Sequence, residues 1–149
     1  MQAERRLSQQ LIDYWFSLKK SKSDIPQEDN ISPEDIADIW TNCFLIKQGV
    51  QGNPAGFRYS YVGETITENC IESPPHIRRF LENMLRLHES AAIHAEKALD
   101  KEEPVIEEGE FLDHESTCNF LYRRCFMPFK DSKKGTNTVL GGFRWKIET

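Results

Sequence analysis

The chain has 149 residues, a net charge of -5 and a hydrophobic fraction of 38%. This length suits one domain with its own core, and the composition argues against global disorder. The dispersed Lys and Arg residues form no basic patch for nucleic acid, no apolar run is long enough for a membrane span, and the N-terminus lacks the apolar centre of a secretory signal. We therefore expect a cytoplasmic protein without a nucleic-acid partner.

Residues 3–20 are predicted to form a helix, because apolar side chains recur there at spacings of three and four. These side chains form two strips on nearly opposite sides, and such a helix needs two neighbours. One neighbour is its own domain and the other is a second copy, with packing of both strips inside one chain as an equal alternative. We assign four residues of this helix to a homodimer interface: Leu11, Ile12, Trp15 and Phe16.

A polar segment after this helix divides the chain into two parts. Residues 21–31 contain Pro26 and few apolar side chains, which predicts a linker. Residues 1–31 are therefore an N-terminal helix with its linker, and residues 32–149 are the main domain. Ser32 and the following proline suit the start of a short helix.

Two strands are predicted next, at residues 42–47 and 57–62, and the glycine-rich loop between them makes a hairpin. Alternation along the second strand places Phe57, Tyr59 and Tyr61 on one face. Residues 63–75 are predicted to be irregular, because two adjacent prolines stand near the end of this segment.

The strongest periodic signal follows, at residues 77–99, where one continuous apolar stripe predicts a single long amphipathic helix. Three strands are then predicted at residues 104–112, 119–129 and 139–147. Consecutive strands without intervening helices favour an antiparallel sheet, so the fold class is α+β.

Several short segments occur in the order typical of a known family. The most specific is Phe57-Arg-Tyr-Ser-Tyr-Val-Gly-Glu-Thr65, and Leu11-Ile-Asp-Tyr-Trp15, Glu103-Pro-Val105, Met127-Pro-Phe129 and Leu140-Gly-Gly142 accompany it. In these segments and in its order of elements, the chain resembles a bacterial single-domain subfamily of the PAS superfamily whose function is largely unassigned. The resemblance spans nearly the whole chain.

The PAS resemblance implies a five-stranded antiparallel sheet of order 2-1-5-4-3, with helices on one face and an extra N-terminal helix. It also implies a sensory or regulatory module that acts through protein–protein contacts with a signalling partner, not an enzyme. PAS domains bind varied small ligands or none, so the resemblance names no ligand. Our candidates for a ligand pocket are Phe57, Tyr59, Tyr61, Met84, His88 and Phe126.

The cofactor stays unknown. His88 lies on the apolar stripe of the long helix, where some PAS domains bind haem, but no haem pattern accompanies it. Cys70 follows an asparagine as in flavin-binding light sensors of the superfamily, yet the rest of that motif is missing. Haem and flavin are therefore not expected. The four cysteines lack metal or redox spacing, and we interpret them as free thiols.

Charged residues in the last strands do not form a catalytic set. Arg123 and Arg124 must point to opposite faces of one strand, and we expect the inward one to pair with an acidic side chain. Glu107 and Glu108 are adjacent, so we interpret them as solvated charges near an edge. We predict no catalytic and no metal-binding residue. A ligand-free scaffold is the main alternative, and a small α+β enzyme, which would need a polar cluster inside, is the third.

Overall fold

The computed structural model of the chain describes residues 5–21, 24–49, 56–131 and 136–148. Most of the predicted hairpin loop 48–56 lies outside these residues. The helices and strands are α1 (Arg5–Leu18), β1 (Cys43–Lys47), β2 (Arg58–Val62), α2 (Glu64–Glu72), α3 (Pro75–Leu85), α4 (Ala92–Lys101), β3 (Val105–Asp113), β4 (Cys118–Lys130) and β5 (Asn137–Glu148), with a π-helical turn (Leu87–Ala91) before α4 and short 3-10 turns at Glu28–Asn30, Pro33–Ile36 and Trp40–Asn42.

The strands form one antiparallel sheet of order β2-β1-β5-β4-β3. β5 pairs with β1 on one side and with β4 on the other, so it is the central strand of the sheet. This is the strand order that the PAS resemblance implies, and the predicted α+β, PAS-like fold class is confirmed. The short helix predicted after Ser32 is also present, with Pro33 at its first position.

Both faces of the sheet are covered, by different helices. We call the face under α2, α3 and α4 the inner face and the face under α1 the outer face. The inner face carries a layer of fully buried aromatic side chains from the sheet and α3: Phe44, Phe80, Phe120, Phe126 and Phe143. The outer face packs against the buried side of α1, through Leu7, Leu11 and Trp15.

Two adjacent glycines in β5 allow close packing on both faces at once. The Phe44 ring lies on the inner face where a Cβ atom at Gly141 would stand. The Leu11 side chain of α1 occupies the equivalent space at Gly142 on the outer face. A side chain at either position would displace a buried neighbour, so the Gly-Gly pair sets how near the helix layers come to the central strand.

Two predictions for the helical region are wrong. The segment predicted to be irregular contains α2, because its prolines stand after that helix and Pro75 occupies the first turn of α3. The helix predicted as continuous over residues 77–99 is broken: α3 ends at Leu85, and Arg86 has an extended backbone with ψ 116° before the π-helical turn. An apolar stripe continues across such a break, so periodicity alone does not reveal it.

The prediction of a shared face in β2 is wrong for Tyr61. Pairing with β1 skips one residue of β2, because Leu45 pairs with Tyr61 and Ile46 with Tyr59. This bulge changes the alternation of faces. Tyr59 packs with the inner core, whereas Tyr61 belongs to the outer cluster and stacks on Trp40 with ring centroids 4.6 Å apart.

Candidate functional site at the break between α3 and α4

A buried arginine stands beneath the break in the helix layer. Arg124 of β4 points to the inner face and is 1% exposed. Its Nε donates a hydrogen bond of 2.6 Å to Oε1 of Glu107 on β3. Its two terminal nitrogens donate hydrogen bonds of 2.6 Å each, to the Met84 carbonyl near the end of α3 and to Oγ of Ser90 in the π-helical turn. One charge thus joins the sheet to both sides of the helix break.

The strand register brings the ion pair together. Glu107 and Arg124 are direct partners across β3 and β4, so their side chains share the inner face. The prediction that the inward arginine pairs with an acidic side chain is confirmed. The interpretation of Glu107 as a solvated charge is wrong, since its side chain is only 14% exposed. Glu108, the next residue, is exposed and pairs with Arg123, as alternation requires.

Two further polar side chains converge on the Glu107 carboxylate. Nε2 of His94, on α4, lies 3.2 Å from Oε2 of Glu107, and the His94 ring stacks on Phe126 with centroids 5.4 Å apart. Within the described part of the chain, Nδ1 of His94 is buried without a hydrogen-bond partner. The Tyr122 hydroxyl donates a 3.5 Å hydrogen bond to the same carboxylate oxygen. Burial raises the pKa of Tyr122, and the negative charge of Glu107 adds to the rise.

A second side chain from the sheet, the partly buried Tyr59, holds the end of α3. The Tyr59 hydroxyl donates a 3.0 Å hydrogen bond to the Leu85 carbonyl. Burial raises the pKa of Tyr59 to about 12, with the nearby Arg124 charge opposing that rise. Carbonyls in the last turn of a helix lack intrahelical partners, and here Arg124 and Tyr59 satisfy two successive ones, at Met84 and Leu85. The break is therefore stabilised by side chains of the sheet.

The cluster contains the residue types of a hydrolase, but not the required contacts. Ser90, His94 and Glu107 could supply a nucleophile, a base and an orienting carboxylate. The Ser90 hydroxyl instead accepts a hydrogen bond from Arg124, and no hydrogen bond joins Ser90 to His94 among the described residues. An arginine donor withdraws electron density from the hydroxyl that would have to attack. The arrangement suits the binding of a charge better than covalent catalysis.

The predicted pocket residues do not form one group. Phe57, Tyr59, Met84 and Phe126 all belong to the inner core, and all except Tyr59 are fully buried. Tyr61 lies on the outer face. The side chain of His88 lies outside the described residues, so its proposed role in a pocket stays a prediction. Sequence reasoning missed Glu107 and Ser90 as partners of Arg124 and His94 as a partner of Glu107, because these contacts depend on strand register and on the helix break.

The four predicted dimer residues divide into buried and accessible ones. Leu11 and Trp15 are 0% and 1% exposed, because they pack on the outer face of their own sheet. Ile12 is half-buried, and Phe16 is 56% exposed on the other side of α1. Of these four side chains, Phe16 therefore offers most of its surface to another molecule.

A surface cleft of about 330 Å³ lies between α3 and β3. Its floor includes Phe111 and Leu112, and an ion pair closes its end. There the Arg79 guanidinium donates two hydrogen bonds, of 2.7 and 2.8 Å, to the Asp113 carboxylate. The Arg79 hydrogen bonds and a hydrogen bond from Ser116 hold the pKa of Asp113 well below its ordinary value of 3.8.

We expect the Asp113→Asn variant to be less stable than the parent chain, by an amount that depends on pH. A carboxyl group whose pKa is lowered by folding stabilises the fold above its unfolded pKa, and this contribution is lost as the pH falls. The difference in the free energy of unfolding should therefore be full at pH 6 and shrink progressively below about pH 4. Urea unfolding between pH 6 and pH 2 measures it, with the exposed Glu34→Gln variant as the control. A difference that stays constant with pH would contradict the assigned ion pair.

Within the described residues, no group of three or more His, Cys, Asp and Glu side chains is arranged to hold a metal ion. None of the described helices has the length and apolarity that crossing a bilayer requires. The described cysteines are all free. Burial raises the pKa of Cys125 to about 11 and raises that of Cys43 even further.

Comparisons with known proteins give little beyond these observations. No protein-family model matches the chain, and no curated protein matches it. Four solved chains match. One is the ligand-binding domain of PctC, an amino acid chemoreceptor of Pseudomonas aeruginosa PAO1, in complex with GABA, at 12% identity and a TM-score of 0.36. The match covers 92% of this chain and 51% of the receptor chain, so this chain spans about half the length of that domain. The assignment of the fold depends on the strand order described above.

Proposed function

We propose that this chain is a non-catalytic PAS-like regulatory module of the cytoplasm, in which a small anionic ligand competes for the Arg124 guanidinium. One observation supports this most: a single buried charge holds the sheet, the end of α3 and the π-helical turn together. A ligand that changes the contacts of Arg124 would change the position of the helix break. The protein would then signal through contacts with a partner.

The ion pair of Arg124 and Glu107 contributes more to the specificity of the folded arrangement than to its stability. Desolvation of two charges offsets most of their attraction, and apolar residues of similar volume would stabilise a core equally well. A π-helical turn is also uncommon and is found frequently at functional sites. The coincidence of both features at one place is what we expect of a site that binds a ligand or switches between two states.

An anion is the ligand class that best fits this arginine. A guanidinium can bind carboxylate or phosphate groups through two parallel hydrogen bonds, and here Glu107 accepts a single one, from Nε. The cluster reaches the surface on this side, because the side chains of Glu107 and His94 are 14% and 27% exposed. A small carboxylate could therefore approach Arg124 by displacing Glu107, without opening the aromatic layer.

We propose α1 as the element that passes the change to a partner. It packs directly on β4 and β5, the central strands of the sheet, and one of these carries Arg124. Residues 1–31 would be the output segment of a sensing domain of residues 32–149. The exposed Phe16 would take part in a homodimer or in contact with a signalling protein. A ligand acts in such a system by favouring one of two pre-existing arrangements.

A ligand-free scaffold is the second candidate, and the packing of the inner face supports it. Five phenylalanines of the inner face are at most 1% exposed, so they occupy the space between sheet and helices where a ligand would otherwise bind. On this alternative, the Arg124 cluster only satisfies the carbonyls at the end of α3. The two candidates differ in whether the protein responds to small anions.

Thermal unfolding with a panel of small carboxylates and phosphate esters, at fixed pH and ionic strength, tests the proposal. A ligand at 100 times its Kd stabilises the fold by about 2.7 kcal/mol, which raises the Tm by roughly 5–10 °C for a domain of this size. Hydrogen exchange at residues 84–91 should change with the same ligand. The Ser90→Ala variant, which removes one partner of Arg124, should bind that ligand with altered affinity. If no compound of the panel changes the Tm or the hydrogen exchange, ligand binding is rejected and the ligand-free scaffold remains as the function.

A further inference from the structure

β3 forms one edge of the sheet, and its free side is long. The strand has nine residues, Val105–Asp113, and its one partner in the described part of the chain is β4. Within the described residues, no backbone hydrogen bond joins β3 to a segment other than β4. The two helices that contact β3, α3 and α4, lie on the inner face of the sheet. Such an edge presents a row of donors and acceptors to which another strand can bind.

The outer-face side chains of β3 form a distinct pattern. Ile106 and Leu112 are 43% and 48% exposed, and both are among the few large apolar side chains on the surface of the described chain. Glu108 and Glu110 stand between them and are also exposed. In the order of the strand, the face therefore reads apolar, acidic, acidic, apolar. A strand that pairs with this edge would place its own alternate side chains beside these four.

Charge repulsion argues against a second copy of β3 as the strand that pairs with this edge. In an antiparallel pair centred on Gly109, Glu108 of each copy would lie opposite Glu110 of the other. Like charges directly opposite each other destabilise a strand pair. A strand with basic residues at the two central positions would instead meet opposite charges at both. Glu108 pairs with Arg123 of β4, and Glu110 accepts a hydrogen bond of 3.5 Å from the Asn119 amide.

The cleft between α3 and β3 continues this surface at the C-terminal end of the strand. Leu112 lines the cleft and also belongs to the outer-face side chains of β3, and Phe111 lines the cleft too. The volume of about 330 Å³ is large enough for an aliphatic or aromatic side chain. Its rim carries charges of both signs, because Glu82 and Arg86 line it and Glu115 pairs with Arg79. The cleft therefore contributes apolar surface, and the selection of basic residues depends on Glu108 and Glu110.

From this edge and cleft we infer that β3 binds an extended, cationic segment of a partner protein by antiparallel strand addition. Backbone hydrogen bonds along the edge supply affinity, and Glu108 and Glu110 select basic residues at alternate positions. An apolar residue at each end of the segment covers Ile106 and Leu112. The inference rests on the proposed function and deepens it, because it names a second surface, besides α1, by which a regulatory module would contact its partner, and the chemistry of that contact.

A designed heptapeptide tests the inference without knowledge of the natural partner. The acetylated and amidated peptide LTKTKTL places leucine, lysine, lysine and leucine on one face. Titrated into the full chain and followed by two-dimensional NMR, it should shift the amide resonances of residues 105–113. The charge-reversed variant E108K/E110K should bind it at least tenfold more weakly. The peptide LTETETL should show the opposite preference, binding the variant and not the parent chain.

Two controls make the outcome decisive. A copy of LTKTKTL that is N-methylated at alternate amides keeps its charge and loses half of its hydrogen bonds, so it should not bind. Equal binding of this copy, or shifts located away from β3, would overturn strand addition. The Ser90→Ala variant should bind LTKTKTL as the parent chain does, because Ser90 lies at the Arg124 cluster. Loss of peptide binding at the β3 edge is thereby distinguished from loss of anion binding at Arg124.

Discussion

Replacement of Arg124 by alanine should lower the free energy of unfolding by about 3–5 kcal/mol. The substitution removes a guanidinium that is 1% exposed and leaves the poorly solvated Glu107 carboxylate without its arginine partner. It also removes the donors to the Met84 carbonyl and to Ser90 at the helix break. Urea unfolding followed by circular dichroism measures the loss, and hydrogen exchange should rise most at residues 84–91.

A paired substitution separates the ion pair from simple loss of volume. The double variant R124M/E107M should recover most of the lost stability, because both charges of the pair are then gone and the methionines keep much of the volume. The exposed arginine of β2 is the matched control: Arg58→Ala should change the free energy of unfolding by less than about 0.5 kcal/mol. A cost below 1 kcal/mol for Arg124→Ala would contradict the role of Arg124 as the link between sheet and helices.

Replacement of Trp15 by alanine should cost about 3–5 kcal/mol, the usual range for a large aromatic side chain in a core. Trp15 is 1% exposed, and its indole Nε1 donates a 2.8 Å hydrogen bond to the Pro128 carbonyl. Trp15→Phe should cost less, about 1 kcal/mol for the hydrogen bond plus a small volume term. These losses are measured by the same urea unfolding curves.

Phe16, the next residue, is the control on the same helix. It is 56% exposed, so Phe16→Ala should leave the stability of the monomer within about 0.5 kcal/mol. The homodimer proposal requires that this variant lower the dimer fraction in sedimentation velocity runs, at unchanged stability. A parent chain that sediments as a monomer at all concentrations would end that proposal. Equal stability losses for Trp15→Ala and Phe16→Ala would show that α1 does not pack as described.

Local sequence signals were sufficient where one element determines its own structure. The existence of α1 and of the five antiparallel strands was predicted from local patterns. The order of the strands in the sheet was predicted from the PAS resemblance. The opposite directions of Arg123 and Arg124 followed from strand alternation, and the acidic partner of the inward one followed from the cost of burying a charge. In both cases the physical rule acts within one element.

Contacts between elements decided what the sequence left open. Two apolar strips on α1 looked alike in the sequence, and the space above Gly142 in the central strand determines which of them is buried. A one-residue bulge opposite β1 places Tyr59 and Tyr61 on different faces, and alternation within β2 contains no sign of it. Likewise, the stripe over residues 77–99 continues across a break whose carbonyls are satisfied by side chains from the sheet.

The amino-acid sequence by itself therefore determined the fold class and required one of Arg123 and Arg124 to face inward, because periodicity and charge burial are properties of single elements. The order of the strands came from the PAS resemblance. The contacts of the Arg124 cluster and the free edge of β3 are visible only in the tertiary structure. Glu107 meets Arg124 through strand register, and Ser90 and His94 reach this pair through packing of the broken helix layer. Such contacts join residues far apart in the chain, and their geometry is set when the whole sheet and its helices pack together.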